Sequence, residues 1–162
     1  LDRPISYRSI HEACIDYANT SFITATGGTL STYEDYIIHT FKTSDTFTIT
    51  SGYSPVEILL VGGGGGACRG GGGAGGFIET EVKLKAGNYE ITVGDGGAGG
   101  LAYSATPGSN GGDSSFVGTS VNLVALGGGG GVHDGNGLSG GSGGGGGSHS
   151  GIITYGGAAL QP

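Results

Sequence analysis

The sequence has no methionine, no tryptophan, two cysteines and four prolines. Each shortage excludes something. Two cysteines, Cys14 and Cys68, make neither a disulfide framework nor a metal-ligand set. They leave one bridge or two thiols, and their spacing does not choose. Only six residues are basic against 13 acidic, a net charge of −7. Without Arg-Gly-Gly repeats the positive footprint of a nucleic-acid binder is missing, so no nucleic acid is expected as a partner. No apolar run approaches the roughly 20 residues of a membrane helix, so no membrane insertion is expected. Opening at Leu1 without any methionine is expected of a fragment or processed piece.

What the chain has instead is glycine, 41 of 162 residues. The runs at 62–66, 70–76, 127–131 and 140–147 alternate with short segments of β-forming residues. Two readings compete. Glycine tracts serve as flexible linkers because they lose the most backbone entropy on ordering. Glycine also lets backbones pack with no side chain between them, as at the axis of collagen. These runs abut strands with no linker-like buffer between. We therefore read them as packed polyglycine-II-type segments, hydrogen-bonded side by side.

Around the tracts the coarse pattern is all-β. Residues 5–19 form the one helical stretch: Ser9 and Glu12 have capping-box spacing, and Ile10, Ala13, Cys14, Tyr17 and Ala18 share a face. Too short to stand alone, such a helix packs on the sheet behind it or on a neighbouring subunit. Residues 22–26 read as a strand. Residues 36–41 and 47–50 read as a hairpin turning at Asp45, with His39 facing solvent. Residues 56–61 read as a buried central strand. Residues 77–84 and 89–93 read as a second hairpin turning at 86–88. Residues 116–126 give one or two strands around Gly118, and 151–155 a last one. About eight short strands with glycine turns suggest a β-sandwich or jelly-roll-like core. The expected division is an N-terminal attachment segment, 1–30, and a glycine-rich β domain, 31–162.

Catalytic chemistry is sought and not found. The G-x-G-x-x-G match at 94–99 follows a strand but precedes no helix, so the dinucleotide fingerprint lacks its context. His11, His39, His133 and His149 are scattered, with no ligand pair on one element. Asp134 and Asn136 supply too few oxygens for a calcium loop. No enzyme, no cofactor and no metal is expected. What remains are the non-glycine islands inside the tracts, where ordered rods would reverse direction. Tyr103, His133, Asp134, Asn136 and His149 stand there, of the types that make aromatic and polar surface contacts. They are either contact residues or plain turn residues.

Several motifs in order carry a resemblance. YIIHTF at 36–41, TFTIT at 46–50 and VEILLVGGGGG at 56–66 are followed by GGAGGF at 72–77, AGNYEITVG at 86–94, NGGDSSF at 110–116 and the tract from Gly127. Together they resemble the glycine-rich domains of tailed-bacteriophage virion surface proteins, and more distantly phage adhesins with polyglycine lattices. The resemblance spans roughly residues 33–157. It implies a tail-fibre or adhesin domain on the virion, at the tail or capsid surface, that recognises a host-cell receptor. Implied partners are other virion proteins or copies of itself, as in a trimer; the helix, outside the resemblance, offers Ile10, Cys14 and Tyr17 as candidate assembly residues. The alternative is a structural virion protein, a capsid decoration or fibre building block, that binds only its own assembly. Catalytic residues are not among what the resemblance brings.

Overall fold

A computed structural model describes residues 21–101, 106–148 and 151–161. The segment 5–19, with Ile10, Cys14 and Tyr17, lies outside the described residues, as do Tyr103 and His149. Among the described residues the elements are all strands: β1 Ser21–Thr26, β2 Thr29–Tyr33, β3 Tyr36–Thr40, β4 Asp45–Val61, β5 Phe77–Thr92, β6 Ser114–Gly118 and β7 Val121–Ala125. They form two antiparallel sheets, one in the order β1-β4-β5-β6-β7 and a small one of β2 and β3.

The long strands β4 and β5 each consist of two arms joined at a bulge. Their ladder runs from Asp45↔Ile91 to Ile49↔Gly87, then resumes at Tyr53↔Lys85 and continues to Val61↔Phe77. Between the arms, Thr50, Ser51 and Gly52 of β4 face Ala86 alone. Gly52 takes φ +96°, a conformation that side chains disfavour. The bulge also changes the phase of the pleat. In the first arms the buried residues are odd-numbered, Phe47, Ile49, Tyr89 and Ile91; in the second they are even-numbered, Ile58, Leu60 and Leu84. Without that shift one arm would turn its apolar face to water. Both arms thus feed one core, completed by Phe116 and Val121. Tyr89 secures the bend, donating its hydroxyl to the Lys85 carbonyl at 2.8 Å while its ring stacks on Phe116 at 5.3 Å.

Several expectations are corrected here. Residues 36–41 do not pair with 47–50; β3 pairs with β2, turning at Glu34-Asp35. Residues 77–84 and 89–93 are not a hairpin either. They are one strand, in which Gly87 and Asn88 pair with Ile49 and Thr48 and Ala86 faces the β4 bulge, so 86–88 is no turn. A glycine flanked by alternating residues reads alike in both cases, and the pairing with β4 decides. Residues 56–61 are not buried on both faces, since Leu59 and Val61 are exposed opposite Ile58 and Leu60. Residues 151–155 form no strand. His39 does not face solvent: its Nδ1–H donates to the Gly27 carbonyl at 2.8 Å and its ring meets Phe47 edge-on. The strands around Gly118 form as expected, β6 pairing with β7.

Leu84 is fully buried where the two arms meet. Leu84→Ala is expected to cost about 2–5 kcal/mol, as large-to-small changes in a core do. Chemical denaturation of the variant checks this. A loss below about 1 kcal/mol would mean that the arms do not share a core.

Candidate functional site

The sheet ladders do not stop where the strands end. Beyond Val61↔Phe77 the pairing continues with Gly62 N–H donating to the Gly76 carbonyl at 2.9 Å. Beyond β5–β6, Gly112 N–H donates to Asp95 at 2.8 Å, and beyond β6–β7, Gly111 N–H donates to Gly128 at 2.9 Å. The strands therefore hand their chains directly to rods at 62–67, 70–76, 94–100, 108–112 and 127–132, and a further rod at 140–147 packs beside them. Segments 135–139 and 155–161 return along the edge, where Gly157 N–H donates to Gly144 and Leu160 N–H to Gly140.

Within a rod the hydrogen bonds repeat every third residue. In rod 127–132, the N–H groups of Gly128 and Gly131 donate to Gly63 and Gly66, at 2.8 and 2.9 Å. Those of Gly129 and Val132 donate to Ser142 and Gly145, at 2.9 and 3.1 Å. Those of Gly127 and Gly130 turn a third way, to the side-chain Oδ1 of Asp113 and Asn110, both at 2.8 Å. Rod 62–67 repeats the pattern, with Gly62 and Gly65 donating to one neighbour and Gly63 and Gly66 to another. Three directions per turn with no hydrogen bond inside a rod is the extended threefold helix, here satisfied by its neighbours.

This geometry requires glycine at particular places. A Cβ on each of residues 127–131 would strike the carbonyl of another segment: Gly111, Gly73, Leu138, Gly108 and Gly70 in turn. All five residues are buried. Where the tracts carry alanine instead, at Ala67, Ala74 and Ala98, the residue is exposed. The alanines mark the outside of the slab.

Most of the rods' reversals lie at the end remote from the sheets; the one at Ser139-Gly140 lies at the sheet end, where Gly141 N–H donates to Gly127. Segment 67–70 turns at the remote end, with Cys68 N–H donating to Gly70, and Gly70 N–H ties it to Val132. Gly100 N–H donates to Ala67, and the Cys68 thiol lies 3.6 Å from the Leu101 and Thr106 carbonyls, which places Leu101 and Thr106 beside the first turn. Val132 to Gly135 turns beside them, and Gly135 and Gly147 exchange hydrogen bonds at 2.8 and 3.1 Å. After Gly147 the chain reverses again and returns by Tyr155. The candidate residues that can be placed thus come together: His133 is half-buried, and Asp134 and Asn136 are exposed. Asn136 also has a structural task, since its Oδ1 accepts the Tyr155 N–H at 2.9 Å.

Ile152, Ile153 and Tyr155 were hidden by the reading of 151–155 as a strand. They are 64, 78 and 66 % exposed beside this end, and Leu101 is 67 % exposed. An apolar pair lodged between glycine tracts was the available signal, because a reversal has no core to bury it. Two shallow concavities of about 250 and 270 Å³ lie instead on the sheet half, near Phe41 and near Leu59, and include no candidate residue. Among the described residues no group of three histidine, cysteine, aspartate or glutamate side chains could hold a metal ion.

Two substitutions separate packed from open glycine. Gly131→Ala places a methyl against the Gly70 backbone and is expected to cost more than about 3 kcal/mol, among the severest single changes. Gly71→Ala meets nothing within 4 Å and is expected to stay within about 1 kcal/mol of the parent. Thermal and chemical unfolding of the pair checks the contrast, and equal effects would contradict the packing described.

Searches of curated proteins and of solved structures return no significant match. A family model described as a glycine-rich domain matches residues 39–160. That span begins in β3, takes in β4 to β7 and every rod, and ends in the returning edge segment. The chain belongs to this glycine-rich domain family.

Proposed function

We propose that the chain is a non-catalytic recognition domain of a virion surface protein, of the tail-fibre or adhesin kind, that meets a host-cell surface with the reversals at the far end of its glycine slab. The observation that carries the reading is the division of labour along the molecule. The rods present almost no side chains, so chemical variety on that half is concentrated at the reversals, and these are tied to one another by backbone hydrogen bonds. Loops on a rigid scaffold are where binding is usually placed, because little ordering entropy remains to be lost on contact. The order of motifs from residue 36 onward supports the virion assignment.

A second reading, a structural building block that binds only its own assembly, is favoured by the sheet half. There the β2–β3 hairpin leaves Leu30, Tyr33, Tyr36, Ile37 and Ile38 exposed, and Leu59, Val61 and Phe77 lie open on the long strands. Apolar surface of this kind marks contact with other chains.

The two readings separate in an adsorption assay on a panel of bacterial cells. Asp134→Ala and the pair Ile152→Ser, Ile153→Ser are expected to lower adsorption roughly tenfold or more, as loss of central contacts does, without altering unfolding. Ile37→Ser is expected to leave adsorption unchanged. Recognition at the reversals is refuted if the parent adsorbs and the Asp134 and Ile152/Ile153 variants adsorb equally well. The building-block reading gains if Ile37→Ser instead abolishes self-association.

A further inference from the structure

Asparagine followed by glycine is chemically fragile. The glycine nitrogen, once its proton is lost, attacks the asparagine Cγ. The Cγ–Nδ2 bond breaks, ammonia leaves and a succinimide closes. Water then opens the ring at either carbonyl, giving aspartate or isoaspartate. Glycine favours the step because no side chain hinders the approach and its backbone reaches conformations closed to other residues. The sequence contains two such pairs, Asn110-Gly111 and Asn136-Gly137. Their surroundings differ.

At Asn110 every participant is engaged by the slab. Its Oδ1 accepts Gly130 N–H at 2.8 Å and its Nδ2 donates to the Ser139 carbonyl at 2.9 Å. The attacking nitrogen, that of Gly111, donates to Gly128 at 2.9 Å. Gly128 and Gly130 belong to the buried rod, so freeing this pair means taking the slab apart. At Asn136 the same two groups are held by a single residue. Oδ1 accepts Tyr155 N–H and Gly137 N–H donates to the Tyr155 carbonyl, both at 2.9 Å. Tyr155 heads the returning edge segment, is 66 % exposed and follows the exposed Ile152 and Ile153. Lifting that one segment frees both the nucleophile and the amide it attacks.

We propose that Asn136-Gly137 is a deamidation site of the folded domain, opened by local release of the edge segment at Tyr155, and that the lattice holds the chemically identical Asn110-Gly111 closed. Reactions that need a local opening proceed in proportion to its population, which is larger for edge segments than for packed centres. The product adds a negative charge among the reversals, beside Asp134. The proposal rests on the hydrogen bonds of the two pairs and is independent of what the reversals bind.

The test uses the full chain, held folded in mildly alkaline buffer and, in parallel, unfolded in guanidinium chloride. Conversion is located by peptide mass spectrometry after digestion. Unfolded, the two sites are expected to convert at similar rates. Folded, Asn136 is expected to convert more slowly than in the unfolded chain but at least about tenfold faster than Asn110. Tyr155→Pro, which removes the N–H held by Asn136 Oδ1, is expected to accelerate Asn136 and leave Asn110 unchanged. Should that variant fail to fold, low urea on the parent takes its place: conversion at Asn136 is expected to rise before any at Asn110. Equal rates at the two sites in the folded chain would overturn the proposal. So would conversion of Asn136 at its unfolded rate, or no conversion there while the unfolded chain reacts to completion.

Discussion

The missing Cβ at the centre of the slab is the constraint on which the rest depends. Rod 127–132 lies close enough to its neighbours that an added methyl at any of residues 127–131 would meet another segment's carbonyl. That closeness brings successive N–H groups within hydrogen-bonding distance of different neighbours in rotation. A single side chain inside would separate the rods and orphan several buried donors and acceptors together. An unpaired buried backbone group costs about 1–3 kcal/mol, so the loss would multiply.

Hydrogen bonds alone do not hold such a slab. Fixing a residue's backbone costs roughly 1–2 kcal/mol, while a backbone hydrogen bond returns about 0.5–1.5 kcal/mol net. Glycine sits at the expensive end. The balance is near zero or unfavourable, so the rods need ends that are already placed. The sheets supply them. β4 and β5, β5 and β6, and β6 and β7 each continue their ladder into a pair of rods, so the conventional core of Phe47, Ile49, Leu84, Tyr89 and Phe116 fixes where each rod begins. Side chains complete the remaining valences: Asp113, Asn110 and Gln161 offer oxygens to the N–H groups of Gly127, Gly130 and Leu126. The core anchors, the ladders align and glycine permits the approach.

Much of this was legible in the residues. Glycine runs joined to strands without polar spacers pointed to packing, and the islands among them marked the reversals, most of which gather at one end. The strands near 22–26 and around Gly118 were readable from alternation. The pairing was not. Gly87 between two alternating stretches signals a turn as readily as a continuous strand, and only its pairing with Ile49 of the partner strand distinguishes them. The same limit misassigned Tyr36 to Thr40, whose neighbour proved to be the preceding strand rather than the following one. The double role of Asn136, exposed yet bonded to Tyr155, depends on a contact 19 residues away that no local pattern records.

The central claim is that the glycine tracts are ordered by hydrogen bonds between rods. Amide hydrogen exchange on the full chain, resolved at residues 127–131 and 140–147, tests it most directly. Strong protection is expected at 128, 129 and 131, whose donors end on neighbouring rods, and equally at 127 and 130, whose donors end on Asp113 and Asn110. Exchange at unfolded-chain rates through these residues, with the strands still protected, would contradict the account and leave the tracts as spacers.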